Sequence, residues 1–305
     1  MQSTGYKRVV ITRVDVDSSG QEAIQKKEGS YLTLTVPSLH ADDNEGLSQL
    51  EESLFESLTE LHADLSIKPD EKILIIGLGN KTITPDAIGP MTLDAMQSRK
   101  VEMEADSFIL FSPGVTAQTG YETSEFIMAL AKEIQPKLVL VIDALATKAS
   151  ERLCRTIQIT NTGIHPGSGV GNERAEVSEE TIGVPVTAIG IPTVVGGPVL
   201  VSDAIERVFQ SIAAKILEKG KPSGKLSVSS FVPNNSNVDL SVTESVFGEW
   251  VHWSKEDRQM LLQEVLSNQV ESLIVTPKDV DLWLVQYSVL LTNALYKWLD
   301  TISSK

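Results

Sequence analysis

The sequence has no second cysteine. Cys154 stands alone among 305 residues, so no internal disulfide can form, which fits a reducing compartment such as a cytoplasm. No apolar window approaches ~18 residues, and the start MQSTGYKRVV lacks an apolar signal core, so neither membrane insertion nor export is expected. Basic residues are in deficit, with 26 Lys and Arg against 41 Asp and Glu and a formal net charge of −15. Such a surface repels phosphate backbones and anionic lipid heads, which argues against a nucleic-acid or membrane partner. There is no HExxH helix and no cysteine pair, so a conventional zinc peptidase is disfavoured. Cys154 precedes the strand-like run TIQIT with no helix start beside it to lower its pKa, so its expected role is structural rather than nucleophilic.

What is present is an ordinary globular composition, 41% hydrophobic and 22% charged, enough for a sizeable core in one large or two small domains. Residues 7–16 and 30–37 are rich in β-branched side chains and read as an antiparallel pair joined by a turn at SSGQEAIQKKEG. From Asp42 to Leu65, leucines at 47, 50, 54, 58, 61 and 65 recur at spacings of three and four, an amphipathic helix whose His62 falls on the polar side and is expected to be solvated.

The centre of the chain alternates short apolar runs with helical patterns. The runs ILIIGLG (73–79), SFILF (107–111), KLVLVIDAL (137–145) and VPVTAIGI (184–191) read as strands buried on both faces, and helices fit at 86–98, 122–134 and 199–218. That order predicts an α/β fold, a doubly wound, mostly parallel sheet with helices on both faces, plus the N-terminal antiparallel pair and a C-terminal helix. Sites in such sheets form at the carboxyl ends of strands, so residues after Gly79 and around Asp143 should converge. Residues 219–254 lose periodicity and read as a long, partly mobile excursion. A helix at 255–267, a short strand ESLIV and a long final helix follow. Thr276 and Pro277 supply the final helix's expected N-cap and first turn, and Val280, Leu284, Leu291, Leu295 and Trp298 its packing face, toward the sheet or another subunit.

The densest motif is GLGNKTITPDAIG at 77–89. Its glycines, Gly79 among them, close a buried strand where a bare Cα permits a sharp turn, and Asn80 and Asp86 follow. A dinucleotide fingerprint would need a third glycine that is missing, and a carboxylate at the helix start opposes a pyrophosphate. Asp86 on its own also reads as a helix cap. Asp143 ends the apolar run LVLVI, carrying an ionisable group to the tip of a central strand, where it is either a site residue or a structural acid bonded to a loop. Two carboxylates at adjacent strand ends can share a proton, one acting as base on a water and the other as acid, which is a peptidase arrangement with a bell-shaped pH profile. The segment NTGIHPGSGVGNER at 161–174 supplies Gly167, Gly169 and Gly171 and His165, a loop of low bulk suited to an extended peptide. His165 either stabilises a turn, assists catalysis, or completes a metal site with Asp86 and Asp143.

Together GLGN, TPDAIGP, SPGVTAQTGYETSE, VIDALATK, TIQITNTGIHPGSGVGN and IPTVV resemble the germination protease family in order and spacing, over roughly residues 5–218 and again at LIVTPKDVD, residues 273–281. The resemblance implies an endopeptidase that degrades small acid-soluble spore proteins early in germination. It further implies synthesis as a zymogen, a homotetramer, a place in the spore core, and a core fold similar to hydrogenase maturation peptidases. The family's two catalytic aspartates are matched by Asp86 and Asp143, and Gly79, Asn80, His165 and the 167–171 glycines are the auxiliary groove candidates. No cofactor is expected; the alternative is a divalent ion on Asp86, Asp143 and His165. The chain is read as one peptidase domain: β pair and helix at 5–66, α/β core at 70–218, excursion at 219–254, and C-terminal strand and helices at 255–301.

This sequence departs from the family pattern in three places. It starts near the first strand, where the family carries a removable propeptide. Gly196 and Gly197 stand where Asp-Ala is usual, and 219–254 matches little. An active two-aspartate endopeptidase is the leading reading, and a turnover-impaired binding or regulatory protein and a metal-dependent peptidase are the alternatives.

Overall fold

The structure is a computed structural model that describes residues 8–68, 70–103, 107–114, 123–166, 175–218, 239–270 and 273–303. In chain order its strands are β1 (Val10–Val16), β2 (Gly29–Thr35), β3 (Ile73–Gly77), β4 (Phe108–Phe111), β5 (Leu138–Thr147), β6 (Thr156–Thr160), β7 (Val186–Gly196) and β8 (Ile274–Val275). The principal helices are α1 (Ser18–Ile24), α2 (Asn44–Leu61), α3 (Ile88–Met103), α4 (Thr123–Ile134), α5 (Glu179–Ile182), α6 (Gly197–Glu218), α7 (Lys255–Val270) and α8 (Val280–Ser303).

All eight strands form one sheet in the order β1-β2-β6-β7-β5-β3-β4, with β8 pairing β7. The centre is parallel: β3 pairs β5 with Gly77 opposite Ile142, and β4 with Ile76 opposite Phe111. The amide of Val139 donates to Pro185 O, so β5 and β7 begin side by side. Beyond β7 the sheet turns antiparallel through β6, β2 and β1. The α/β class, the N-terminal antiparallel pair and the C-terminal helix are therefore as the sequence predicts.

Alternation along β3 and β5 divides the core into two layers. Ile73, Ile75, Leu138, Leu140 and Ile142 face one way, packing with Leu50, Leu54 and Leu58 of α2 and with Leu291, Leu295 and Trp298 of α8. Leu74, Ile76, Val139 and Val141 face the other way, with Ile127 of α4 and with Val186. Covering both faces explains why these runs are apolar at every position instead of alternating. Truncating any of these fully buried leucines or isoleucines to alanine costs about 2–5 kcal/mol.

Several expectations are corrected. The segment after β1 is not a simple turn: Asp17 accepts from the amides of Ser19 and Gly20 and caps the seven-residue α1. The helix expected from residue 86 is preceded by a 3-10 turn at Thr84–Asp86 and runs Ile88–Met103. The final helix begins at Val280, and Thr276 is not its cap, because the Thr276 hydroxyl instead donates to Thr193 O at 2.8 Å. Its expected packing residues are all buried, against α2 and α3 as well as the sheet. His62 is half-buried, not on an open solvated face as expected. It is the C-cap residue of α2, its Nε2 lies 2.9 Å from Thr187 Oγ1, and its ring tilts on Trp298 at 5.5 Å. Desolvation lowers its pKa to about 4. Cys154 is buried as expected, and burial pushes its thiol up to about 12.

By contact density the chain divides into two compact units, one of residues 1–147, 151–194 and 276–305, the other of 148–150 and 195–275. In the second unit α6 packs on α7. The Arg258 guanidinium meets the Glu206 carboxylate through Nε–Oε1 at 2.6 Å and Nη2–Oε2 at 3.1 Å, both side chains buried. Phe209 sits edge-on to Phe247 and Trp250 at 4.4 and 4.6 Å. Within the stretch read as an irregular excursion, residues 240–252 form consecutive short helical turns, and 219–238 lie outside the described residues.

Candidate active site

The carboxyl end of β3 lies beside the middle of β5, with Gly77 opposite Ile142, and the chain continues that parallel pairing as the Leu78 amide donates to Ile142 O at 2.8 Å. Gly79 then takes φ +114, a conformation that L side chains rarely adopt. A Cβ there would lie 1.9 Å from Asp86 O, so glycine is required on both steric and torsional grounds. The next amide, Asn80 N, donates to Asp86 O at 3.1 Å and to Asp86 Oδ2 at 2.7 Å. The Asn80 side chain accepts from the amide and hydroxyl of Thr82 at 3.0 and 2.8 Å. Residues 79–86 thus form a closed loop with one carboxylate oxygen of Asp86 held by a backbone N–H, while its other oxygen, Oδ1, is 3.2 Å from where a Gly79 Cβ would stand.

The 3-10 turn carrying Asp86 packs on β5. Pro85 in that turn has its carbonyl held by Thr193 Oγ1 of β7 at 2.6 Å. Gly89, in the first turn of α3, allows close approach to the strands, since a Cβ there would stand 2.3 Å from Leu78 O and 2.7 Å from Ile142 O. Asp143 follows Ile142 directly. It is 6% exposed, and its Oδ1 accepts from the Ala144 amide at 2.9 Å. The structure therefore places Gly79, Asn80 and Asp86 in the loop after β3, packed on β5, whereas Asp143 lies within β5 and not at its tip as expected, because the strand continues to Thr147.

His165 is placed elsewhere, on the wall of a groove of ≈ 370 Å³ over the antiparallel side of the sheet. The floor of the groove includes Thr33, Gln158, Thr160 and Gly190. Gly190 leaves room for the Leu145 side chain, because a Cβ there would meet Leu145 Cδ1 at 2.2 Å. Leu145 also lines the groove and lies two residues past Asp143, hence on the same face of β5. On the wall, Lys27 Nζ pairs with Glu176 at 2.9 Å and Glu180 at 2.5 Å, and these partners raise its pKa. His165 Nε2 stands 3.8 Å from Glu176 Oε1. Gly167, Gly169 and Gly171 lie outside the described residues.

Asp86, Asp143 and His165 are not assembled as an ion site: among the described residues no group of three or more His, Cys, Asp or Glu side chains is placed to hold a metal. No helix among the described residues is long and apolar enough to cross a membrane. Two elements of this region escape the sequence reading. Thr193 sits in the β-branched run IPTVV and looks like any strand threonine. Lys27 and Glu176 belong to segments far apart in the chain, and no local pattern joins them.

The profile of the germination protease family matches residues 1–303. The germination protease of Priestia megaterium is 37% identical over 292 residues, covering 90% of this chain and 79% of the relative. That of Bacillus subtilis is 36% identical over 303 residues, covering 94% and 82%. That of Oceanobacillus iheyensis is 34% identical over 304 residues, covering 95% and 83%. A solved [NiFe] hydrogenase maturation protease from Thermococcus kodakarensis aligns with 40% of this chain and 74% of its own at 18% identity and a TM-score of 0.30, too distant to carry an argument. With a family profile spanning nearly the whole chain and relatives covered over four-fifths or so of their length, the chain belongs to the germination protease family.

Proposed function

We propose that this chain is an endopeptidase that hydrolyses small acid-soluble spore proteins during germination, with Asp86 and Asp143 as its general acid and base. Family membership supports the peptidase activity; the observation that carries the mechanism is two carboxylates on adjoining elements, Asp86 in the turn after β3 held by Asn80 N–H and Asp143 buried on β5, against which that turn packs. Two carboxyl groups in such a site favour a state with one proton between them. The ionised member takes a proton from a water whose oxygen bonds to the scissile carbonyl carbon, while the protonated member gives its proton to the carbonyl oxygen. The tetrahedral diol then collapses: a hydroxyl proton returns to the carboxylate that gave its proton up, the carboxyl that took the water's proton passes it to the amide nitrogen, and the C–N bond breaks. The ≈ 370 Å³ groove lined by Leu145, two residues past Asp143 on β5, offers an extended peptide a place to lie, with Lys27, Glu176 and His165 along its wall.

By the same family relationship we place the enzyme in the spore core as a homotetramer made as a zymogen, of the aspartic type and without a cofactor. The test is incubation of the purified protein with a small acid-soluble spore protein, and separately with an unrelated unfolded acidic protein, with fragments read by mass spectrometry. Cleavage of the spore protein at a few defined bonds, with the control intact, supports the proposal. Binding without fragments would instead favour a turnover-impaired binding protein, with Gly196 and Gly197 the first residues to restore.

A further inference from the structure

We infer that Thr193 is a positioning residue that sets the Asp86 turn against β5, and this inference rests on the two-aspartate reading above. The turn satisfies most of its backbone internally: Ile83 N donates to Asn80 O, Asp86 N to Ile83 O, Ala87 N to Thr84 O, and Asn80 N to Asp86 O. Those bonds fix the shape of the loop, but they do not fix where the loop sits on the sheet. The Pro85 carbonyl reaches out of it, accepting from Thr193 Oγ1 at 2.6 Å. Pro85 is the residue before Asp86, and its ring locks φ, so holding its carbonyl holds the following Cα.

Thr193 is itself firmly seated. It is 1% exposed, on β7, the strand beside β5 and its Asp143. Its own carbonyl accepts from Thr276 Oγ1 at 2.8 Å. A continuous chain of hydrogen bonds therefore runs from Thr276 through Thr193 to Pro85, joining three segments distant in sequence and ending one residue from Asp86. The threonine χ1 is stiff, because its β-branch leaves few rotamers, so the hydroxyl acts as a fixed strut. A displacement of a reacting group by about 1 Å costs on the order of 100-fold in rate, so a strut at this point controls turnover rather than affinity.

The experiment compares Thr193→Val, which keeps the shape and removes the hydroxyl, with Thr193→Ser, which restores it, and with Asp86→Asn. Each is assayed for cleavage of a small acid-soluble spore protein, for the pH dependence of kcat, and for thermal unfolding. The 13C resonance of the Asp86 carboxyl is titrated in all but Asp86→Asn. The expected result is a kcat for Thr193→Val lowered about 10- to 100-fold with KM within about twofold, because the interaction lost is one that positions the reacting group. The Asp86 carboxyl titration moves with it, and Thr193→Ser recovers most of the rate. Wild-type kcat and an unmoved Asp86 titration in a folded Thr193→Val protein would overturn the inference, as would equal loss in the Ser variant. If Asp86→Asn cleaves normally, the two-aspartate reading falls and this inference with it. If Asp86→Asn is inactive while Thr193→Val matches wild type, only the role of Thr193 falls.

Discussion

Acidification should destabilise this protein through His62, and the size of the effect can be worked from its surroundings. His62 is the C-cap residue of α2, its backbone N–H donating to Leu58 O, while its imidazole shares a hydrogen bond with Thr187 and leans on Trp298. Burial alone lowers its pKa from 6.5 to about 4. Above pH 6.5 neither the folded nor the unfolded chain protonates this ring, and its neutral, packed form contributes fully. Between 6.5 and about 4 the unfolded chain takes up a proton that the folded chain refuses, so stability is lost as pH falls toward the folded pKa and the loss levels off below it. A difference of 2.5 units, from 6.5 less about 4, corresponds to roughly 3 kcal/mol at 1.36 kcal/mol per unit. The assay is urea unfolding at several pH values between about 4 and 8 for the wild type and for His62→Gln, which keeps a hydrogen-bonding group without a charge to gain in this range. Other acids and bases act on both proteins alike, so the difference between the two curves isolates the ring. The wild type should lose about 3 kcal/mol more than the variant across that range. Parallel curves would refute the reasoning and mean that the buried ring is hydrated or freed by local opening.

Removing one partner of the buried pair in the second unit, by Arg258→Met or Glu206→Gln, should cost about 3–5 kcal/mol in urea unfolding, because the remaining group keeps its burial without its partner. The double change should cost clearly less than the sum of the two. A Cβ at Gly196 meets only Pro198 Cδ at 3.9 Å, so Gly196→Asp should leave the melting temperature within a few degrees. If the missing acid limits turnover, kcat should rise on the same substrate, and an unchanged kcat would acquit this glycine. Cys154, buried and with its thiol pushed up to about 12, should resist a thiol reagent in the native protein and react once it is unfolded.

The parts of the fold legible in the sequence were those where burial is unambiguous. Runs such as ILIIG and LVLVI are apolar at every position because helices cover both faces of β3 and β5, so the parallel centre and its carboxyl-end crevice could be read directly. Gly79 was legible for the same kind of reason, since no other residue fits beside Asp86 O. The leucine periodicity carries the expected helix to Leu65, four residues past its observed end, and that puts His62 on a solvated helix face. α2 ends at Leu61, and the cap residue departs from helical geometry with φ −117 and ψ 37. The short α1 escaped because seven residues give little periodicity, and its stability comes from the Asp17 cap. Thr276 carried a genuine helix-start signal, Thr-Pro, yet its hydroxyl serves Thr193 instead. Thr193 and the Lys27–Glu176 wall depend on long-range pairing of strands and loops, which no local pattern encodes.

The most direct test of the central claim compares Asp86→Asn, Asp143→Asn and the double variant with the wild type, with and without a chelator, on a small acid-soluble spore protein. If the two carboxylates work as one unit, each single change removes cleavage about as completely as both together, and chelator leaves the wild-type rate unchanged. Cleavage that persists in Asp143→Asn, or that chelator abolishes in the wild type, would contradict the two-aspartate mechanism.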